Sequence, residues 1–313
     1  MKKDSKIYIA GHNGMVGSAI LRKLKAERYE NIITRNREEL DLCRQEDVER
    51  FFASERPEVV FLAAAKVGGI MANMTNQAAF LYENLMIQNN VMNAAARHGT
   101  KKFVFLGSSC VYPRDCPQPI REDYFLTAPF EPTNEGYAVA KAAGMKLCGY
   151  LARDGVWDGV NVIPCNLYGP GDNFAPESSH VMAALVKRFT DAVRDGERIV
   201  TCWGTGAPRR EFLHVDDLAR GIFMLLDNDP YGSEPVNIGY GNDITIRELA
   251  ETVAREAGFR GRIIWDTSKP DGMVRKLMDT TRARAFGFMP EISLERGVAM
   301  MIDYYRVWAN GRE

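Results

Sequence analysis

The sequence predicts an α/β fold, a Rossmann-type doubly wound parallel sheet with a smaller C-terminal substrate lobe, and three observations predict it. Short apolar runs alternate with amphipathic stretches through the first half of the chain. Three glycines, Gly11, Gly14 and Gly17, follow the first run and open a helical stretch. Beyond residue 165 the alternation gives way to loops rich in glycine and proline.

The runs Ile7–Ala10, Ile32–Ile33, Val59–Ala63, Phe103–Leu106 and Val160–Ile163 are short and apolar throughout, as strands buried on both faces of a parallel sheet are. Helical segments lie between them, among them Met15–Glu27, Val48–Ser54 and Gln77–His98. Strands that alternate with helices in this way imply crossover connections and hence a parallel sheet. In the second half, loops at 168–171, 203–208, 228–230 and 269–272 separate shorter elements. Residues 1–165 therefore read as a nucleotide-binding domain. Residues 166–313 read mainly as a substrate-binding lobe, with some segments returning to the first domain.

The chain has 313 residues, 46% hydrophobic and 26% charged, enough to bury a sizeable core. Its 40 Lys and Arg against 41 Asp and Glu leave a net charge of -1, so no global field recruits nucleic acid or a membrane. An anionic ligand must then be gripped by local arginines. The longest apolar run, Val59–Ala65, is too short to span a bilayer, and the first residues lead into a strand instead of a signal segment, which predicts a cytoplasmic protein. Cys43, Cys110, Cys116, Cys148, Cys165 and Cys202 form no C-x-x-C pair, so neither a disulfide framework nor a metal site is expected.

The glycine segment is the first chemical signal. Between a strand and a helix, Gly11, His12, Asn13, Gly14, Met15, Val16 and Gly17 let backbone N–H groups approach a pyrophosphate while the helix N-terminus faces its charge. The spacing is G-x-x-G-x-x-G. The second strand is followed by Arg35 and Arg37 where an acidic residue commonly holds an adenosine ribose, and arginines there suit a 2′-phosphate, favouring NADPH over NADH. Tyr137 and Lys141 stand one helical turn apart and share a face. A lysine beside a phenol is expected to lower its pKa from about 10 toward working pH. Such a tyrosine protonates a carbonyl oxygen as hydride arrives, and the hydroxyl of Ser108 hydrogen-bonds the same oxygen.

On these residues, together with Leu62–Gly69, Gly107–Pro113, Glu131–Glu135, Asn166–Pro170, Asp172–Phe174, Ser179–His180, Arg210–Asp217 and Ser268–Gly272, the chain resembles the extended short-chain dehydrogenase/reductase family nearly end to end. Within it, the chain is most similar to the branch that converts GDP-4-keto-6-deoxy-D-mannose to GDP-L-fucose by 3,5-epimerisation and 4-reduction. The resemblance implies a reductase triad of Ser108, Tyr137 and Lys141, with Cys110 and His180 as the epimerising pair. It implies NADPH contacts from the glycine segment, Arg37, Lys141, Pro164, Asn166, Leu167 and His180. It implies that Arg188, Trp203, Arg210 and Asp271 hold the GDP-sugar, and that the protein is a homodimer joined through Gln77–His98 and the Tyr137 helix. Two residues depart from the pattern: Asn13 replaces an arginine near the NADP phosphate, and Gly136 replaces a proline before Tyr137, a change expected to matter little.

Chemistry gives the cysteine and histidine a rationale of their own. Carbons 3 and 5 of a 4-keto sugar are both α to the carbonyl, so inversion needs a base on one face and an acid on the other. A thiol near pKa 8.5 and an imidazole near 6.5 can be tuned to those tasks, although a small buried cysteine and a satisfied loop histidine are the ordinary fates of such residues. Of the remaining histidines, His12 is expected to face the cofactor, His98 to favour a helix C-terminus, and His214 to be structural. Three alternatives stay open: a related reductase or epimerase making another GDP-deoxy sugar such as colitose or a 6-deoxyheptose, a dehydratase, and a non-catalytic cofactor-binding sensor. The dehydratase is disfavoured because Ser109–Cys110 stands where that branch carries an acidic pair.

Overall fold

The computed structural model describes residues 1–175, 179–228, 232–269 and 271–310; Asp229, Pro230 and Pro270, which belong to two of the expected loops, lie outside them. Six strands form the central sheet: β1 (Ile7–Ala10), β2 (Ile32–Arg35), β3 (Val59–Leu62), β4 (Lys102–Leu106), β5 (Asp158–Pro164) and, later in the chain, β10 (Pro235–Ile238). All of its pairings are parallel. Their spatial order, β10-β5-β4-β3-β1-β2, reverses direction between β1 and β3, and the crevice at the carboxyl ends of those two strands is where such sheets take ligands.

Continuous burial explains why the strands were recognisable, since every residue of β1 and β3 is buried. The observed β2 runs two residues past the expected Ile33, so Arg35 lies in the strand and Arg37 in the loop beyond it. Helices α1 (Met15–Ala26) and α7 (Val215–Asn228) pack together, as do α2 (Gln45–Glu55), α4 (Gln77–Arg97) and α5 (Glu135–Arg153) in series. Helix α2 starts three residues before the expected Val48, because its first turn is polar and gains from Glu46 and Asp47 at the helix N-terminus.

The remaining elements are smaller. Strand β6 (Asn166–Tyr168) pairs with β9 (Phe212–His214), β7 (Ile199–Trp203) with β12 (Arg262–Asp266), and β8 (Arg209–Arg210) lies between β11 (Ile244–Thr245) and β13 (Arg275–Lys276). The helices here are α6 (Val181–Arg194), α8 (Ile246–Ala257), α9 (Thr281–Ala285) and α10 (Leu294–Asn310), and α3 (Ile70–Thr75) precedes α4. Among the described residues two large apolar cores result, with a small cluster of Ala19, Val215 and Ala219 where α1 meets α7. One surrounds the six-stranded sheet and takes in residues of α7, α9 and β10; the other gathers Phe174 with the inner faces of α6, α8 and α10. No helix among the described residues is long and apolar enough to cross a membrane.

Candidate active site

The glycine segment sits at the reversal in strand order. Gly11 has φ +86, and a Cβ there would lie 2.7 Å from the backbone of Ala64, so the turn leaving β1 admits only glycine. A Cβ at Gly17 would collide with the Gly11 carbonyl, which instead accepts the Gly14 N–H at 3.0 Å. Helix α1 thus starts hard against the turn. Gly14 caps it with no side-chain bond, leaving first-turn N–H groups open toward the crevice, and the buried Nδ1 of His12 has no partner among the described residues. An open helix N-terminus and an unpaired imidazole nitrogen fit the pyrophosphate of a dinucleotide. Across the crevice, Pro164 ends β5, Asn166 and Leu167 open β6, and the Asn166 amide donates to the Glu211 carbonyl at 3.0 Å.

The two arginines beyond β2 differ. Arg35 pairs with Glu55 at 3.0 Å, donates to the Thr34 carbonyl at 2.8 Å and lies over the Phe51 ring. Arg37 is exposed and has no acidic partner among the described residues, on a loop fixed by Asn36 and Glu39, which bond each other's backbone N–H groups. Of the two, only Arg37 lacks a carboxylate partner among the described residues.

Ser108, Cys110, Tyr137 and Lys141 converge at the ends of β4 and α5. The Ser108 hydroxyl accepts the Cys110 N–H at 3.2 Å, which leaves its own proton free to donate, and it also hydrogen-bonds the Tyr137 phenol. Lys141 is buried and donates to the Leu106 carbonyl at 2.7 Å, and burial drops its pKa to about 8. Its ammonium lies 5.9 Å from the Tyr137 ring centroid. Here the structure corrects the expectation of a depressed phenol. Burial pushes the Tyr137 pKa up, the nearby Cys110 pushes it further, and the Ser108 bond opposes both only in part. Tyr137 is therefore held as the protonated phenol, since Lys141 is directed at a β4 carbonyl and not at the phenol oxygen.

Cys110 opens into a recess lined by Ser109, Arg114, Glu131, Asn134 and Lys276, and its Sγ accepts a hydrogen bond from Asn134 Nδ2 at 3.2 Å. His180 stands apart as the N-cap of α6, with no hydrogen bond from its side chain to this cluster. The residue is exposed, and partial desolvation of its ring lowers its pKa.

The four residues expected on the substrate side lie on α6, at β7 and β8 and in the stretch before β13. Arg188 on α6 donates to the Thr201 carbonyl and has no carboxylate partner among the described residues. Arg210 is likewise without a carboxylate; desolvation lowers its pKa, and its neighbour Arg209 shares Asp243 with Arg275 instead. Trp203 is 65% exposed at the end of β7, with Lys269 over its ring. Asp271 accepts from both the N–H and the hydroxyl of Thr205, at 2.9 and 2.6 Å, so it ties the Trp203 loop to the 268–272 loop. His98 bonds Glu49 at 2.8 Å, and His214 is buried against Tyr168.

Three neighbours of the site were not singled out from sequence: Asn134 on the thiol, Lys276 in the recess, and Gln77. The Gln77 side chain accepts the Gly136 N–H at 2.9 Å and donates to the Pro132 carbonyl at 2.7 Å, and a Cβ at Gly136 would lie 2.5 Å from the Gln77 carbonyl oxygen. Gly136 is a fitted residue. Its signal in the sequence was the departure itself.

The model of the NAD dependent epimerase/dehydratase family matches residues 7–239. GDP-L-fucose synthase 1 of Arabidopsis thaliana is 54% identical over 304 residues, covering 97% of this chain and 94% of that protein. GDP-L-fucose synthase of Escherichia coli K12 is 47% identical over 308 residues, covering 96% of each. Among solved structures, the GDP-mannoheptose C4 reductase MlghC of Campylobacter jejuni with NADP bound superposes with a TM-score of 0.89 at 35% identity, covering 98% of this chain and 99% of that one. The chain belongs to the NAD dependent epimerase/dehydratase family of extended short-chain dehydrogenases/reductases, on its GDP-L-fucose synthase branch.

Proposed function

We propose that this protein is an NADPH-dependent epimerase/reductase that converts GDP-4-keto-6-deoxy-D-mannose to GDP-L-fucose. The observation that carries the reading is the thiol of Cys110, whose N–H donates to the same Ser108 hydroxyl that bonds the Tyr137 phenol. A reductase alone needs the phenol, whereas inversion beside a carbonyl needs a base there as well. NADPH, when bound, supplies hydride to carbon 4.

The chain's own residues do the rest. Cys110 as thiolate takes the proton from carbon 3 or carbon 5, and the electron pair moves onto the carbonyl oxygen, where Ser108 and Tyr137 donate to it. His180 as imidazolium returns a proton to the opposite face. Its lowered pKa makes it a stronger acid when protonated. On reduction, the Tyr137 phenol protonates the carbon 4 oxygen, the role suited to a phenol kept neutral. Lys141 anchors the floor of the site and holds the nicotinamide ribose. The glycine segment, Arg37, Pro164, Asn166 and Leu167 bind the rest of the cofactor, and the unpaired Arg188 and Arg210 grip the diphosphate, with Trp203 stacking on the guanine.

In this reading residues 1–165 carry the cofactor and 166–313 mainly the GDP-sugar. The protein works in the cytoplasm as a homodimer, supported by exposed Tyr82 on α4 and Val139 and Tyr150 on α5, which offer an apolar face for a four-helix contact. The C4 reductase likeness favours a second reading, reduction without inversion. Single-turnover NADPH oxidation with GDP-4-keto-6-deoxy-D-mannose, with NMR of the product, separates the two. Inverted carbons 3 and 5 are expected. A product reduced at carbon 4 with both centres retained would replace the first reading by the second.

A further inference from the structure

We infer that Asn134 is a positioning residue for the thiol: its side-chain amide holds Cys110 Sγ as a hydrogen-bond acceptor and fixes where the sulfur points. The inference rests on the proposed role of Cys110 as carbon base and adds the residue that prepares it.

The local structure shows a rule set aside. Asn134 occupies the N-cap of α5, where asparagine normally accepts an N–H of the first turn through Oδ1. Here the side chain makes no cap bond. Its Nδ2 instead donates to Sγ at 3.2 Å, and its Oδ1 is buried without a partner. The helix forgoes a cap and the fold tolerates an unpaired carbonyl, both unfavourable, and residues that break local preference in this way concentrate at functional sites. A directed N–H bond to sulfur fixes the cysteine rotamer and holds the sulfur lone pairs in one orientation.

Both ends of the contact are fixed. The Asn134 N–H donates to the Glu131 carbonyl at 3.2 Å, the Thr133 N–H to the Glu131 carboxylate at 3.3 Å, and the Cys110 N–H to Ser108. Other ionisable groups face the same sulfur: Arg114, Glu131 and Lys276 line its recess, and Tyr137 lies behind it. Arg114 and Glu131 pair with each other at 3.5 Å, so their charges largely offset. Among the described residues, Asn134 alone hydrogen-bonds Sγ.

The test compares Asn134→Asp with Asn134→Ala. Aspartate caps a helix as well as asparagine does but presents an anionic oxygen to the sulfur, so the two roles of residue 134 give opposite orders. Alkylation of Cys110 by iodoacetamide at neutral pH, followed by peptide mass spectrometry, reads the reactivity of the sulfur directly. We expect a loss of roughly tenfold for alanine and a larger one for aspartate, with deuterium uptake at substrate carbons 3 and 5 falling in parallel. An aspartate variant that alkylates and exchanges at the parental rate would make Asn134 a helix cap only and overturn the inference. If the Asn134 variants slow alkylation while Cys110→Ser still exchanges deuterium at the parental rate, Asn134 holds the thiol as inferred, and the assignment of Cys110 as base is what fails.

Discussion

Two pairs of arginines frame the cleft, one at each end of the bound molecules proposed here. At the end of β2, Arg35 is taken up by Glu55 and Arg37 is left over; at β8, Arg209 is taken up by Asp243 and Arg210 is left over. In both places the fold neutralises one guanidinium and keeps its neighbour. Burial separates them. Arg37 is exposed, so a phosphate that approaches it must displace water and gains a modest, screened attraction. Arg210 is half-buried, and folding has already stripped part of its hydration, as its lowered pKa records. An anion that reaches Arg210 meets a cation prepared for it, and folding bears that cost.

The largest test of the contrast is Arg210→Ala, for which a loss of about a hundredfold in kcat/KM for the GDP-sugar is expected, mostly through KM. Arg210→Met should raise the melting temperature, because a desolvated cation without a carboxylate leaves the fold. Arg209→Ala should do the reverse, lowering the melting temperature by leaving the buried Asp243 with Arg275 alone. Steady-state kinetics and thermal melts on the three variants settle it, and a larger KM penalty for Arg209→Ala than for Arg210→Ala would invert the comparison.

Between the two ends stands Tyr137, positioned by the Gln77–Gly136 contact. Gly136→Ala puts a methyl 2.5 Å from the Gln77 carbonyl oxygen, so the first turn of α5 must shift, and Tyr137 with it. Hydride transfer should fall by roughly tenfold or more while NADPH affinity holds, in keeping with the sensitivity of proton transfer to small misplacements. Stopped-flow NADPH oxidation beside equilibrium NADPH binding reads both. Unchanged transfer would return Gly136 to the minor status expected of it from sequence.

At the exposed end, effects should be smaller. Arg37→Ala should shrink the ratio of NADPH to NADH efficiency by about tenfold, the scale of one charged hydrogen bond near the surface. Arg35→Ala should leave the ratio close to parental and cost about 1 kcal/mol of stability, as a partly exposed ion pair does. Equal shrinkage in both variants would show that Arg35 leaves Glu55 for the cofactor.

Which arginine is free was not readable from the chain, because Glu55 and Asp243 lie far from Arg35 and Arg209 in sequence and pair with them only in the fold. Five of the six central strands were readable, β1, β3, β4 and β5 as apolar runs buried almost throughout and β2 from its two isoleucines; β10, which joins the sheet from far along the chain, was not. The two-residue strands β8, β11 and β13 were not; tertiary contact sets them, and no periodicity fits in two residues. Spacing placed Tyr137 and Lys141 on one face, but it carried no information about the Leu106 carbonyl, which captures the lysine and leaves the phenol protonated. Asn134 was hidden for a different reason. An asparagine before a helix already has a sufficient local explanation as a cap, and only the observed bond to sulfur displaces it.

A pH-dependent test concerns Glu211, the residue next to Arg210, whose carboxylate is fully buried and accepts N–H bonds from Gly241 at 2.6 Å and Met278 at 3.2 Å. Burial outweighs those bonds and raises its pKa from 4.5 to about 7. The folded protein therefore keeps a proton on Glu211 over a range where the unfolded chain has released it. The stability this contributes is fully present below about pH 4.5 and is lost as pH rises through about 7, with a slope of at most roughly 1.4 kcal/mol per pH unit. Glu211→Gln cannot titrate. It should lower stability throughout, because a carboxamide has only one oxygen for the two N–H donors, yet its stability should fall less than that of the parent between pH 5 and 7.5. Urea melts of both proteins across that range isolate the slope from other titrating groups. Parallel curves would mean that Glu211 stays ionised through the whole range, that its backbone donors outweigh burial, and that the carboxylate beside Arg210 is a permanent anion, which would weaken the case for Arg210 as a cation held in reserve for the substrate.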